Sequence, residues 1–421
     1  MFKKITILYF FFSSTFAQIN TKVELNFFDN ENQSMLINSQ NFGLYEEYRS
    51  TSNIHLSHYL DFKNSNTSIL LDWYINDQKG EILKFDITNK RKYGQYKIGM
   101  FSKNKIYESH IYSTGSMIFS NNAKIIPGVG YNTNWIDFFN YFQFKVNLFQ
   151  GKFPSQMDNN GPFLHYKSVM LKKEYDYGNF GFQIQHAVQF GGDDQNGEVI
   201  PINLRTFFRM VAAQSGDNSQ PGIDQDYKIG NGLGAYIFSF ERKLSSNELK
   251  LYYEHFFDDK SGAKLKNFSD GLYGIEIKKN RIGLFYEKLE TTNQSGNQHP
   301  PGVDSYYWHQ VYQFGWTNKN LSIGNAFINP LNNRKKIQNI SIEYNFDNFD
   351  IFARNIQIKE YIPYTDKNNN KPYEDTTILQ NSFNFFSYGL SFMMLDDKNI
   401  SIIFADEEDR SNIKLSLSFN I

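Results

Sequence analysis

The sequence predicts an all-β protein, a transmembrane outer-membrane antiparallel β-barrel of about 18 strands with long extracellular loops and short periplasmic turns. Three observations predict this class: an export signal at the N-terminus, segments whose apolar residues recur at every second position, and connections that alternate between short and long. Together they describe a chain that is secreted, whose strands are apolar on one face, and whose two rims differ in loop length.

The N-terminus predicts export. Lys3 and Lys4 precede an apolar run at residues 5–12, and small residues follow up to Ala17. This is the pattern of a secretory signal peptide, and the run is shorter than the ~20 apolar residues of a spanning helix. We therefore expect a signal peptide at residues 1–17, a periplasmic extension or first barrel segment at 18–51, and the outer-membrane barrel at 52–421.

The composition excludes several classes of protein. Only 40% of the residues are hydrophobic, and no apolar stretch is long enough for a helical membrane span. Aromatic residues make up 17%, which suits lipid-facing strands and interfacial girdles. The absence of cysteine excludes disulfides and thiolate metal sites. A net charge of −1 gives no overall field that would attract nucleic acid.

The C-terminal segment shows the strand period most clearly. One face carries apolar residues and the other polar residues, namely Ile413, Leu415, Leu417 and Phe419 against Lys414, Ser416, Ser418 and Asn420. Ile340 and Ile342 alternate in the same way with Asn339 and Ser341. An apolar-out, polar-in strand is typical of a barrel wall around a water-filled or polar-filled lumen.

The connections alternate in length along the chain. Turn-forming residues mark short connections near residues 176–179, 244–248, 279–280, 318–320, 347–348 and 396–399. Longer polar links lie near residues 191–234, 257–270, 291–305, 328–336, 360–384 and 406–411. This division predicts about 13 strands from Lys167 onward, one at 135–149, and four weaker ones at 52–60, 67–75, 81–88 and 95–102.

Three stretches carry a resemblance to a known family. They are TGSMIFSNNAKIIPGVGY at residues 114–131, GPFLHYKSVMLKK with GFQIQHAVQFGG at residues 161–192, and the region from YYEHFFDDKSGAKL to DSYYWHQVYQFGWT at residues 252–317. In content and order they resemble the capsule-assembly Wzi-type outer-membrane family as it occurs in the Bacteroidetes. The first hundred residues and the last sixty match no motif of that family.

The resemblance implies an outer-membrane lectin that holds capsular polysaccharide at the cell surface after export. The partners it implies are capsular or extracellular polysaccharide and the lipids of the outer membrane of a Gram-negative bacterium, with the barrel acting as a monomer. No sugar-contacting residue of the family can be carried over onto this sequence.

Catalytic signatures are absent from the sequence. It has no Gly-x-Ser-x-Gly elbow, no His-Glu-x-x-His and no phosphate loop, and its eight histidines are dispersed. We expect no enzyme activity, no catalytic residue, no cofactor and no metal site.

The loop at residues 257–270 is the first candidate ligand site. It carries Asp258, Asp259, Asn267 and Asp270, whose oxygens suit sugar hydroxyls or a Ca²⁺ ion, although the spacing is not that of an EF-hand. A solvated loop is the alternative.

An aromatic group at residues 306–310 is the second candidate ligand site. Trp308 offers a face for a pyranose ring and His309 a polar flank, while Tyr306 and Tyr307 are expected in the interfacial aromatic belt. For Trp308 both interpretations stay open.

The longest link, residues 191–234, is the third. Arg205 and Arg209 lie four apart among apolar residues, which predicts a short helix tucked into the lumen with both guanidinium groups on one face. They would bind carboxylates of an acidic polysaccharide, or else pair with wall residues such as Glu241 or Glu254.

The function predicted is that of a non-enzymatic barrel whose extracellular loops bind surface polysaccharide and whose lumen is at least partly plugged. A diffusion porin is the main alternative, and it would require an open, charged lumen. A barrel enzyme that acts on lipid or polysaccharide is the third class.

Overall fold

Period-2 segments pair edge to edge until the sheet closes on itself. The structure, a computed structural model, describes residues 18–29, 35–39, 42, 51–76, 79–103, 105–155, 159–216, 229–258, 260–295, 305–312, 314–362, 379–394, 398–407 and 410–420. The signal peptide predicted at residues 1–17 lies outside these residues.

Almost all regular structure is strand. The strands are β1 (Gln18–Phe28), β2 (Ser52–Phe62), β3 (Thr67–Asn76), β4 (Gly80–Arg91), β5 (Gly94–Met100), β6 (Gly128–Thr133), β7 (Ile136–Phe138), β8 (Phe142–Lys152), β9 (Phe163–Tyr175), β10 (Gly178–Phe190), β11 (Asn231–Leu244), β12 (Asn247–Phe257), β13 (Gly271–Lys279), β14 (Ile282–Glu290), β15 (Thr317–Asn318), β16 (Leu321–Ser322), β17 (Lys335–Asn345), β18 (Phe349–Tyr361), β19 (Leu379–Met394), β20 (Lys398–Glu407) and β21 (Arg410–Asn420). The helices are α1 (Met35–Asn38), α2 (Leu204–Val211) and α3 (Lys260–Ala263), with a 3-10 turn at Lys63–Ser65.

Antiparallel pairing closes the barrel between its first and last strands. β1 pairs with β2 along one edge and with β21 along the other, where Val23 lies opposite Phe419. β6 and β7 both pair with β8 and share one position in the wall, so the described strands fill 18 positions. Closure leaves no unpaired strand edge in the bilayer, where unsatisfied backbone groups are costly.

Alternating side chains divide into a lipid face and a lumen face, as predicted. In β17, Ile340 and Ile342 are about half exposed on the outside, at 52% and 50%, whereas Asn339 and Ser341 are buried inside. The outer surface near the short turns carries exposed aromatic rings, among them Phe138, Phe139, Tyr141, Tyr175, Tyr177 and Phe180. Such rings form the aromatic girdle of an outer-membrane barrel.

The predicted and observed numbers of wall strands agree, although individual assignments differ. From β9 onward the described wall has eleven strands, because the turn at residues 318–320 joins β15 and β16 inside the barrel and does not join two wall strands. Two wall strands were not in the predicted count: β6, and β1, which lies in the 18–51 segment that had been left open between a periplasmic extension and a first barrel segment. The two extra and two missing strands cancel.

The long connections lie on one rim, which we call the loop rim and which also carries the short connections between β3 and β4 and between β20 and β21. The opposite rim joins the described strands by short connections, and we call it the turn rim. The loop rim faces outward in bacterial outer-membrane barrels, and the turn rim faces the periplasm. The prediction of a long link at residues 406–411 is wrong, because β20 ends at Glu407 and β21 begins at Arg410. Among the described residues, no helix is long and apolar enough to cross a membrane.

Two segments leave the wall and enter the lumen. The first inner segment, residues 101–127, lies between β5 and β6, and the second inner segment, residues 305–334, precedes β17. Their buried apolar residues, which include Met117, Ile118, Tyr306, Tyr307 and Trp316, pack against inward-facing wall residues such as Leu164, Ala235, Ile237, Leu272, Ile337 and Ile356. Part of the lumen is therefore a hydrophobic core, whereas the sequence had suggested a polar filling.

A wall glycine makes room for this core. A Cβ added to Gly274 of β13 would lie 1.9 Å from Cζ of Tyr252 on β12, whose ring stacks on Tyr107 of the first inner segment at 4.2 Å between centroids. We expect Gly274→Ala to lower the free energy of unfolding by about 1–3 kcal/mol, because the tyrosine must move. Urea titration in lipid vesicles measures this.

Gly80→Ala is the matched control, since a Cβ there meets only ordinary contacts at 3.8 and 3.9 Å. Equal effects of the two substitutions would contradict the packing role of Gly274.

Candidate functional site

The first inner segment crosses the lumen and is held by wall side chains at several points. The amide of Ile106 donates to Oε1 of Gln183 on β10 at 2.8 Å. Further along, Nη2 of Arg354 on β18 donates to the carbonyl of Tyr112 at 2.7 Å. Since β10 and β18 are well separated around the barrel, the segment spans the interior between them.

Glu287 of β14 is the main anchor of this segment. Its carboxylate is buried, with 1% exposure, and accepts hydrogen bonds from Oγ of Ser113 at 2.7 Å, from the amide and hydroxyl of Thr114 at 2.7 and 2.6 Å, and from the Tyr252 hydroxyl at 2.5 Å. A buried charge with this many donors fixes the position of the donors, because leaving either side unpaired is costly.

Glu254 of β12 holds the same segment three residues later. Its Oε1 accepts from the hydroxyl of Ser116 at 2.7 Å and from the amide of Met117 at 3.1 Å. The hydroxyl-rich run at residues 113–116 therefore lies between two wall carboxylates. Residues 114–116 belong to the first stretch that resembles the family, but neither their role nor that of Glu287 was predicted. A polar residue on the inward face of a strand was the one signal that the sequence offered for Glu287.

The second inner segment covers the first on the side of the loop rim. The Tyr307 hydroxyl donates to the carbonyl of Met117 at 2.6 Å, and Nε1 of Trp316 donates to the carbonyl of Ile118 at 2.9 Å. Nδ2 of Asn325 donates to the carbonyl of Gly115 at 2.7 Å. The two inner segments thus form one hydrogen-bonded unit inside the wall.

Tyr306 and Tyr307 are buried in this unit, with exposures of 0% and 1%. The prediction that they belong to the interfacial belt is wrong, because their hydroxyls bond to groups inside the barrel. Tyr306 donates to Oδ2 of Asp270 at 2.7 Å, and Tyr307 donates to Met117.

Two of the predicted ligand residues lie beneath the surface. Asp270 is buried and accepts from the amides of Asn293 and Gln294 at 2.9 and 2.8 Å, in addition to Tyr306. Asn267, also buried, donates to the Phe256 carbonyl and to the Tyr306 hydroxyl. Both residues fix the start of the second inner segment.

The other two predicted ligand residues of that loop are Asp258 and Asp259. Asp258 is half-buried directly after β12, close to the loop rim. Asp259 lies outside the described residues.

Trp308 and His309 lie at the loop rim. The indole is 44% exposed, and Nδ1 of His309 accepts from the amide of Val311 at 3.2 Å. The 191–203 part of the longest link reaches this place, since the amide of Gln195 donates to the Val311 carbonyl at 3.1 Å and Ile200 packs on Val311. The exposed indole of Trp308 is therefore three residues from Val311, where the longest link contacts the second inner segment.

Arg205 and Arg209 lie on the predicted helix, α2, but the helix is not in the lumen. Its residue Met210 packs against Val188 and Phe190 of β10, which belong to the outward face of that strand together with the exposed Ile184. The prediction that this helix lies in the lumen is wrong, because the apolar side of α2 packs on the outside of the wall. Nε of Arg209 donates to the carbonyl of Ser215 at 2.7 Å, and Arg205 is exposed.

A cavity of about 720 Å³ remains between the first inner segment and the wall. Lys103, Lys105 and Lys124 are among its lining residues. Burial, with a smaller effect of the neighbouring Lys97, lowers the pKa of Lys103 to about 7, against the opposing effect of Asp86. The Lys103 ammonium lies over the Phe149 ring, 3.4 Å from its centroid, which offsets part of the cost of burying it. In the described part of the chain, no group of three histidine or acidic residues could hold a metal ion.

The Glu287 anchor is testable by hydrogen exchange. Replacing Glu287 with alanine leaves several buried donors without an acceptor, and each such loss costs about 1–3 kcal/mol. We expect the amides of Thr114 and Met117 to exchange at least about tenfold faster, as measured by mass spectrometry.

Glu108→Ala removes an exposed carboxylate from the same inner segment and serves as the control. Unchanged exchange in the Glu287 variant would show that the segment is held by other contacts.

Asp270 should give the protein a pH-dependent stability. Burial raises the pKa of its carboxyl to about 7 from the usual 3.8, against the opposing effect of the hydrogen bonds from Gln294, Asn293 and Tyr306. The folded protein therefore binds more protons than the unfolded chain between these values. Its free energy of unfolding should fall as the pH rises from about 4 to about 7, through this group.

In Asp270→Asn this part of the pH dependence should disappear, as measured by urea unfolding at a series of pH values. Asp347→Asn, at an exposed position on the turn rim, is the control. A pH profile of Asp270→Asn identical to that of the native protein would contradict the assignment.

Comparison with known proteins gives one family. The family described as "Capsule assembly protein Wzi" matches residues 113–354, which is more than half of the chain. The matched region includes residues 113–127 of the first inner segment, the whole second inner segment, Glu254 and Glu287. The search of curated proteins found no match.

Solved structures resemble the chain in shape. OpdQ of Pseudomonas aeruginosa is 9% identical, with 97% of this chain and 99% of that chain covered and a TM-score of 0.48. OccK2 (OpdF) of the same organism, in complex with glucuronate, is 8% identical, with 96% and 98% covered and a TM-score of 0.48. OmpTdeltaL8, a loop L8 deletion mutant of OmpT from Vibrio cholerae, is 5% identical, with 96% and 99% covered and a TM-score of 0.41.

Proposed function

Because this chain belongs to the capsule assembly protein Wzi family and is an outer-membrane β-barrel, we propose that it binds and retains capsular or extracellular polysaccharide at the cell surface. In this proposal the barrel is a monomer without enzyme activity, and its partners are the polysaccharide and the lipids around it. Retention requires a surface that binds sugar and does not require a passage.

The observation that carries the proposal is the pair of inner segments in the lumen. They are bonded to the wall through Glu254 and Glu287 and to each other through Tyr307 and Trp316. A diffusion porin works through an open lumen, and bonded segments across the interior oppose that use. The surface that remains for interaction is the loop rim.

We place the sugar-binding surface at Trp308 and its neighbour His309, together with Asp258 at the loop-rim end of β12. An exposed indole suits the apolar face of a pyranose ring, and imidazole and carboxylate groups suit its hydroxyls. Asp270 and Asn267 would act as positioning residues, because they fix Tyr306, two residues before Trp308. Arg205 and Arg209 lie outside the wall and are not included in this surface.

Weak single contacts are compatible with retention of a polymer. Each repeat of a polysaccharide can engage another barrel, so the second and later contacts form at high effective concentration. A change that halves the affinity of one site would therefore reduce retention of the polymer more than it reduces binding of a short oligosaccharide.

The function is tested in cells. A strain without this protein should synthesise and export normal amounts of polysaccharide but release more of it into the medium. Complementation with Trp308→Ala should restore less retention than the native protein does, by at least about fivefold if the indole contributes about 1 kcal/mol per contact. Surface and released polysaccharide are measured by immunoassay, and barrel abundance by immunoblot.

Trp135→Ala is the matched control, since Trp135 is similarly exposed, at 37%, but lies near the turn rim. Undiminished surface polysaccharide in the deletion strain, together with impaired uptake of a small solute, would favour the porin.

A further inference from the structure

Helix α2 forms an unusual layer on the outside of the barrel. Its buried side, Thr206 and Met210, faces Val188 and Phe190 on the outward face of β10. The Lys167 ammonium, on the outward face of β9, donates to the Val211 carbonyl at the C-terminal end of the helix. The side chain of Asn203 caps the other end by accepting from the amide of Thr206 at 2.8 Å. The C-terminal end is therefore bonded to the wall, and the N-terminal end is capped within the link itself.

The side of α2 that faces away from the barrel is also apolar. Leu204 and Phe208, one helical turn apart, are 78% and 66% exposed. Val199 and Ile202, just before the helix, are 72% and 39% exposed. In water, packing α2 on the wall would bury the apolar outward face of β10 but expose the apolar outer side of the helix. In a bilayer it is favourable, since such a helix lies in the interface with its apolar residues in the acyl region.

Continuity with the lipid face identifies what covers this surface. On β9 and β10 the outward residues Val169 and Ile184 are 44% and 43% exposed, and they precede the area under α2 in the direction of the loop rim. The helix therefore continues the lipid-facing surface at the level where the bilayer gives way to headgroups. Arg205 is exposed there beside Leu204, and Arg209 follows one turn later.

The loop that contains α3 repeats this chemistry. Leu265 and Phe268 are 46% and 59% exposed, and Lys264 and Lys266 flank Leu265 with exposed side chains. The Tyr253 hydroxyl, on the outward face of β12, donates to the Phe268 carbonyl at 3.1 Å and so holds this loop against the outside of the wall. The link that contains α2 also carries two acidic residues, Asp193 and Asp194. These bond to residues 159–160 and to neighbours in their own loop.

We propose that α2 and residues 264–268 form a lipid-anchoring surface that binds phosphate-bearing glycolipid of the outer leaflet. Leu204, Phe208 and Phe268 insert among the acyl chains, and Arg205 and Lys264 pair with headgroup phosphates. Arginine binds phosphate bidentately, whereas lysine contributes a point charge. This site is separate from the sugar surface at Trp308 and does not depend on the proposed function.

Site-directed spin labelling tests where the helix lies. The native sequence contains no cysteine, so single substitutions to cysteine give one label each. With the protein in vesicles that contain lipopolysaccharide, labels at Leu204→Cys and Phe208→Cys should be more accessible to oxygen than to a water-soluble nickel reagent. Val169→Cys gives the lipid reference, and Leu331→Cys, 83% exposed in the second inner segment, gives the water reference. Labels on α2 that match Leu331→Cys would overturn the proposal.

A second measurement tests the phosphate contact. The double variant Arg205→Gln with Lys264→Gln should bind lipopolysaccharide in detergent solution more weakly, by about fivefold for each basic residue removed. Lys243→Gln, exposed at the turn rim, should bind like the native protein. Phosphatidylcholine should be bound equally by all three proteins. Equal lipopolysaccharide binding by the double variant and the control would overturn the assignment of the phosphate contact.

Discussion

The buried carboxylate of Glu287 is the contact on which the interior of this barrel depends. A charged group without partners inside a protein is too costly to persist. Because Glu287 lies on the lumen face of β14, its carboxylate requires hydrogen-bond donors from other segments of the chain. Ser113 and Thr114 supply them, and in doing so they hold the first inner segment across the lumen. The second inner segment then packs on a fixed surface, with Tyr307 and Trp316 bonded to the backbone of the first. The lumen is therefore filled by two inner segments because Glu287 holds the first of them in place and the second packs on the first.

The wall was predictable because lipid and lumen impose different polarities on alternate residues. Ile340 and Asn339 show this directly. The interior was less predictable, because a period of two also fits aromatic residues that pack in a core. Residues 306–316 have strong β propensity and had been counted as a wall strand, yet Tyr306 is buried against Phe256 of the wall and Trp316 against the first inner segment. β propensity cannot distinguish a wall strand from a segment packed in the core of the lumen, since aromatic surface is buried in both.

The candidate site was only partly predictable for related reasons. The spacing of Arg205 and Arg209 correctly indicated a helix, but an apolar helix face is satisfied equally by a packed lumen and by the outside of the wall. Asp270 looked like a ligand because it stands in a carboxylate-rich loop, whereas its oxygens are taken by local amides and by Tyr306. Only tertiary contacts show this difference. Trp308 was a candidate from its sequence context alone, and although the indole is exposed, its role in binding stays a prediction.

The two bonded inner segments imply a lumen that is closed to ions, and the proposed function places the protein's action at its outer surface. Single-channel recording of the purified native protein in planar bilayers tests this most directly. A closed lumen predicts little or no steady current at ordinary salt concentrations. A large, stable conductance from the intact protein would contradict the claim and would favour a porin.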